Sequence, residues 1–383
     1  MRDVAACAAA DVNDLTTLEG EYFTGSGNCY SCHATDPNGE ILVDEQGLDV
    51  SMVNDWMPTM MANAAKDPFW RAKVSHEGLV NPNLVVEIES TCTKCHAPMG
   101  HYEKLLTGGG SYIMADLLVD SLGQDGVSCM ACHRIAAEGL GSTFSGIINY
   151  AEGDVAYGPF VDPWDGPMNS LTGINPVFSN HVRQSELCAA CHTLITETVN
   201  LQGEPTGQYF VEQATYHEWL NSAFSAENKE CQTCHMPEVN GGVIVANQPN
   251  WLFPQTPYGR HHFVGGNSFM LKLMKNNAEA LDLAATPQQF DMVVDRTIAN
   301  LQSAIDLSIE YAGTNQDSSE FSLSIENLTG HKFPSGYPSR LAYLSCLLTT
   351  AEGDTLFCSG KLNSDNRIVD RDDGYEPHFD RVR

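Results

Sequence analysis

The chain has no apolar run approaching the length of a membrane span, so nothing in it reads as a transmembrane helix. It is also poor in positive charge. Twenty Lys and Arg face 49 Asp and Glu, for a net charge of -29. Such a surface repels nucleic acid and anionic lipid, which excludes both as partners. Hydrophobic residues make up only 42% of the 383, which on their own would build a thin core. The opening "MRDVAACAAAD" lacks the apolar stretch of a secretory signal. "VAAC", residues 4 to 7, resembles the cleavage box of bacterial lipoproteins, which would give Cys7 a lipid anchor; a plain thiol is the alternative.

Against these shortages stands one surplus. The sequence Cys-x-x-Cys-His occurs five times: Cys29 and Cys32 with His33, Cys92 and Cys95 with His96, Cys129 and Cys132 with His133, Cys188 and Cys191 with His192, and Cys231 and Cys234 with His235. With 13 Cys and 13 His in the chain, chance would supply about 0.015 such pentapeptides. The pattern is the attachment signature of c-type haem. On a helical turn the two cysteines share a face and can each bond one porphyrin vinyl group, while the next residue reaches the iron. Zinc ribbons would need the motifs to pair, and five is odd. A redox Cys-x-x-Cys would not require the histidine each time. Five covalent haems are therefore expected, and their attachment outside the cytoplasm places the chain in the periplasm or at the cell surface. Each porphyrin is a large apolar plate, so the haems should themselves form the core of the first 265 residues.

Function turns on the sixth ligand of each iron. Two histidines give a closed centre suited to electron transfer, Met and His raise the potential, and a vacant position permits catalysis. Eight histidines lie outside the motifs, more than the five needed for bis-histidine ligation throughout. The expected distal ligands are His76, His101, His181, His262 and His331; His217, His261 and His378 rank below them, and Met60 or Met61 is a lesser alternative. His262 is favoured in "RHHFVGGN" because the glycines admit a porphyrin, and His331 because Gly and Pro stiffen "NLTGHKFPSGYPSR".

Organisation follows texture. Residues 1–28 form an N-terminal segment, 29–265 the pentahaem domain, 266–315 a helical stretch including one amphipathic helix from 286 to 312, and 316–383 a β-rich end. Strands are expected at 320–328, 341–350 and 354–362, the last two as a hairpin around "AEGD". That hairpin brings Cys346 close to opposite Cys358, so a cross-strand disulfide is feasible, the alternative being two buried thiols. The acidic run from Asp370 could bind calcium, though such runs are usually solvated loops.

The five motifs, with "MMANAAKDPFW", "ESTCTKCHAPMGHYE", "SELCAACHTL", "HHFVGGNSFML" and "TGHKFPSGYPSR", resemble the multihaem c-type cytochromes of metal-reducing and other anaerobic bacteria, the broad group that includes the tetrahaem cytochrome of ammonia oxidisers. The resemblance implies a mostly irregular and α-helical chain wrapped around five bis-histidine haems, with a small sandwich-like β segment. It implies electron transfer to redox proteins or an extracellular acceptor, and extends to a homopolymer with haem contacts between subunits. A reductase of a small oxyanion is the second reading, with one iron open near Arg260, Lys332 or Tyr337. It is weakened because pentahaem nitrite reductases carry Lys in place of one motif histidine, and no Cys-x-x-Cys-Lys occurs here.

Overall fold

The structure is a computed structural model that describes residues 15–36, 38–247, 252–315, 318–337, 340–365 and 367–369. Cys7, His378 and the acidic run from Asp370 lie outside the described residues. Two compact units are present, Met1–Gly336 and Tyr337–Arg383.

The first unit is built from short helices and long loops. Four motifs sit on helices: Ser26–His33, Val85–His96, Cys129–His133 and Cys231–His235. The fourth begins on the short helix Glu186–Ala189, which ends before Cys191. Local chemistry starts the longer helices. Asp67 caps Pro68–Val80 by accepting from the Phe69 and Trp70 amides, with Pro68 in the first turn. Thr286 and Gln289 form a capping box on Pro287–Ser303. That helix buries Phe290, Val293, Val294 and Thr297, the spacing of one helical face.

The amphipathic pattern read to residue 312 stops earlier. The helix ends at Ser303, and Ile305–Asn315 is a strand. Its "IDLSIEY" alternates apolar and polar, a period of two that overrides the helical reading. It pairs with Ser318–Asn327, placing Leu307, Ile309 and Tyr311 opposite Ile325, Leu323 and Phe321. The resulting apolar stripe is exposed, each of its six side chains at 44–65%. Among the described residues every sheet has two strands: this hairpin, Thr193–Val199 with Pro205–Ala214, the parallel pair Val155–Gly158 with Asn175–Phe178, a two-residue pair at Glu238–Val239 and Tyr258–Gly259, and one in the second unit.

Among the described residues, buried apolar side chains fall into five separate clusters rather than one core. The largest joins Tyr30, Val53, Trp56 and Met57 to Met270, Met274, Phe290 and Val293. Another gathers Phe23, Met99, Tyr102, Leu122, Met130 and Ile148. A domain usually has one contiguous core; here Cys191 packs against one cluster and Cys92 against another.

In the second unit, Cys346–Thr349 pairs with Thr355–Ser359, shorter than the strands expected at 341–350 and 354–362. Ser359 is opposite Cys346, and Leu347 is opposite Cys358. Neighbouring residues of a strand point to opposite faces, so the two cysteines project to different sides of the hairpin. They are free and exposed, which corrects both the disulfide and the buried-thiol expectations. No helix among the described residues is long and apolar enough to cross a membrane.

Gly146 shows how tightly the motifs pack. Its φ is +74°, its amide donates to the Ala190 carbonyl, and a Cβ there would lie 2.5 Å from Lys94 Cβ and 3.0 Å from Cys95 Sγ. Gly153 has the same φ with nothing within 4 Å. Gly146→Ala should cost about 2–5 kcal/mol, strain plus overpacking, and Gly153→Ala only about 1–2 kcal/mol. Thermal unfolding of the two purified variants checks the difference; equal losses would contradict it.

Candidate functional site: thiol pairs and facing imidazoles

Four motif histidines are oriented in one way. Nδ1 of His33 donates to the Val245 carbonyl at 2.8 Å, His96 to Ala64 at 3.2 Å, His133 to Tyr157 at 2.6 Å and His235 to Val264 at 2.7 Å. A carbonyl can only accept, so the proton must sit on Nδ1 and the Nε2 lone pair is left to face a metal. Burial lowers the pKa of all four, that of His96 to about 4, which keeps the rings neutral as a ligand must be. His192 is more exposed.

Two of these rings meet a second imidazole. His133 faces His261 with ring centres 6.3 Å apart and planes 23° off parallel; His235 faces His331 at 6.4 Å and 22°. A metal–imidazole bond is about 2 Å and the ring centre lies roughly 1.1 Å beyond, so rings on opposite sides of one metal have centres about 6.2 Å apart. Both separations match that spacing. Nδ1 of His331 donates to the Lys332 carbonyl at 2.8 Å, again freeing Nε2. His261 has a buried Nδ1 with no hydrogen-bond partner, and burial takes its pKa to about 4.

The other expected distal residues are placed differently. It is His261, not its neighbour His262, that faces His133; His262 Nε2 lies 3.8 Å from Asp55 Oδ2. Phe263 N donates to the His235 carbonyl and Arg260 N to that of Pro237, and this anchoring decides which of the two adjacent histidines is presented. Nothing in "RHHF" reveals it. His101 is 3% exposed, with its pKa lowered by burial to about 4. The Thr93 hydroxyl lies 3.0 Å from His101 Nδ1 and within reach of the Glu89, Ser90 and Tyr112 carbonyls. His181 is buried with both nitrogens engaged, Nε2 on the Ile135 carbonyl and Nδ1 on Ser179 Oγ. His76 has a 63% exposed side chain beside Glu77. His217 packs against Phe144. Trp70 stacks on His96 at 4.4 Å. Among the described residues no histidine ring faces His33 or His96 at the one-metal spacing.

The thiols adjoin across motifs. Cys29 neighbours Cys129, Cys95 neighbours Cys191, and Cys188 neighbours Cys231. Burial pushes the Cys132 thiol up to about 11 and that of Cys92 to about 12, the opposite of what a thiolate metal site requires. Among the described residues no three His, Cys, Asp or Glu side chains converge on a bare ion. What remains is the donor set of a plate-like group bonded through two thiols and held by imidazole on each side. The split core and the two facing pairs fit such a group.

Two buried charges brace the site. Arg134, directly after His133, is 4% exposed and donates to the carbonyls of Tyr22, Ala151 and Gly153. Asp125 accepts from the Ser26 amide at 3.0 Å and its hydroxyl at 2.7 Å, tying the first motif's helix to the segment before the third.

No family model matches the chain, and no curated protein does. Among solved structures it is similar to the penta-heme cytochrome c552 from Thermochromatium tepidum. The TM-score is 0.52 at 18% identity, covering 89% of this chain and 75% of that one. The fold is similar to that of a multihaem cytochrome c.

Burial raises the Asp125 pKa from 3.8 to about 6, against the pull of its Ser26 and Ser128 hydrogen bonds. Between those values the folded chain binds a proton that the unfolded chain has released. This group's contribution to stability therefore falls as pH rises from about 4 to 6. Asp125→Asn should remove that slope, measured by urea unfolding of the haem-loaded protein at pH 4.5 and 7. A slope identical to that of the parent protein would refute the assignment.

Proposed function

We propose that the chain is an exported pentahaem c-type cytochrome that carries electrons along a row of covalently held haems. The observation that carries this reading is the pair of imidazole sandwiches, His133 with His261 and His235 with His331, at the spacing of one shared metal. Haem iron supplies one-electron chemistry, and its potential depends on axial ligand, burial and hydrogen bonding.

The chain's own residues do the rest. The paired cysteines of the five motifs fix each porphyrin edge. His33, His96, His133, His192 and His235 are the proximal ligands, the four with carbonyl-anchored Nδ1 atoms being held in one tautomer. His261 and His331 close the third and fifth centres, and His101 is poised to serve another. Closure by imidazole on both faces excludes water and substrate, so an electron is what passes. The adjoining thiols of different motifs support a close approach of neighbouring porphyrin edges, as a conduit needs. Donor and acceptor on this reading are redox proteins or an extracellular acceptor. The exposed apolar stripe of Ile305–Asn315 and Ser318–Asn327 supports a homopolymer. Reduction of a small oxyanion is the second reading.

Pyridine haemochrome assay should count five haems per chain. In electron paramagnetic resonance, His261→Ala and His331→Ala should each convert one haem in five to high spin, and His262→Ala should convert none. High-spin iron in the parent protein would transfer the weight to the reductase. A high-spin signal from His262→Ala but not His261→Ala would overturn the ligand assignment.

A further inference from the structure

His331 stands on neither a helix nor a strand. It follows the strand Ser318–Asn327 in a half-buried loop. A ligand on such a loop needs a rigid neighbour to position it. The turn itself is set locally: Asn327 Nδ2 and Thr329 Oγ1 donate to the His331 carbonyl at 2.8 and 2.6 Å. What ties the turn to the rest of the unit is one short helix, Thr215–Leu220.

Glu218 Oε2 accepts from the Lys332 amide at 3.1 Å and from the Ser335 hydroxyl at 2.7 Å. Thr215 Oγ1, at the start of the same helix, lies 2.9 Å from Ser335 Oγ. The Lys332 ammonium is 4.0 Å from Glu218 Oε1. Lys332 is also the residue whose carbonyl accepts from His331 Nδ1. Glu218 thus grips, by its amide, the residue that orients the ring. Its side chain is only 14% exposed. A carboxylate withdrawn from water that far is stable when hydrogen bonds replace the lost hydration, and here they come from the His331 loop.

The next residue of the helix turns the other way. Trp219 is buried, and its Nε1 donates to the Lys229 carbonyl at 2.8 Å, just before Cys231 of the fifth motif. Gly330 closes on the same surface, where a Cβ would lie 3.2 Å from Trp219 Cδ1 and 2.9 Å from Phe224 Cδ2. One helical turn therefore holds both the approach to His235 and the loop that carries His331, the two rings standing 6.4 Å apart.

We propose that Glu218 is a positioning residue for the fifth centre: by clamping Lys332 and Ser335 it keeps His331 opposite His235. This rests on the electron-carrier reading above and on His331 as a ligand. Releasing the clamp frees the loop and opens one face of that centre to a small molecule. The carboxylate does not touch the haem; it acts through the loop.

Carbon monoxide is the probe, added to the reduced, haem-loaded chain after the haems have been counted. It reads how often a distal imidazole is away. Glu218→Ala should retain five haems and bind carbon monoxide at one of them about tenfold faster than the parent protein, the loss of two hydrogen bonds to a charged acceptor. Glu218→Gln keeps an acceptor oxygen and should restore the rate to within about twofold. Glu279→Ala, at an exposed carboxylate, should change nothing. In a His331→Ala background, where the fifth centre is already open, Glu218→Ala should add no further increase. An unchanged rate in Glu218→Ala overturns the proposal, as does a further increase in the His331→Ala background. Should Glu218→Ala lose haem, Ser335→Ala is read in its place, with about a threefold increase expected and an unchanged rate overturning the role. If His331→Ala itself opens no haem, the ligand assignment falls and takes this role with it. A haem count other than five in the parent protein would instead fail the carrier reading.

Discussion

A hydrogen bond from an imidazole to a distant backbone carbonyl governs this molecule. Each of four motif histidines donates Nδ1–H to a carbonyl outside its own helix: His33 to Val245, His96 to Ala64, His133 to Tyr157 and His235 to Val264. The bond fixes the tautomer, aims Nε2 and stitches a motif helix to another part of the chain. A cysteine pair alone would leave the ring free to rotate. With the ring fixed, Nε2 is left pointing away from the anchoring carbonyl, and in two cases a second imidazole lies across from it.

The polypeptide by itself packs as five small apolar clusters braced by buried polar groups. Arg134 gathers three carbonyls, Asp125 holds the first motif helix, and Asp55 joins two arginines. Each of these would be costly if partly satisfied, so each specifies a single arrangement. The segment from Tyr258 to Val264 shows the economy of this design. Within a few residues it supplies a strand, an arginine for Asp55, an imidazole facing His133, and the carbonyl that orients His235.

Where the sequence misled, two causes were local alternation and one was a distant contact. The helix after Thr286 ended at Ser303 because the alternation of "IDLSIEY" outweighed a helical continuation. The cysteines at 346 and 358 were close in the expected hairpin, yet strand alternation sent them to opposite faces. His262 was preferred to His261 on the strength of nearby glycines. The deciding factor was instead the anchoring of Phe263 and Arg260 to the fifth motif's loop. Backbone carbonyls that orient a ring carry no sequence signal at all, since every residue has one.

The sequence by itself determined a recurring chemistry: two thiols and an imidazole within five residues, five times over, in a chain with a modest share of apolar residues. Those features are local, set by spacing within one helical turn, and local spacing is legible in a string. Only the tertiary structure decided which imidazole stands opposite which. His133 and His261 are separated by 128 positions and His235 and His331 by 96. A pairing across that distance depends on how loops close and which face of a segment turns inward, and a one-residue shift in an extended segment reverses the answer.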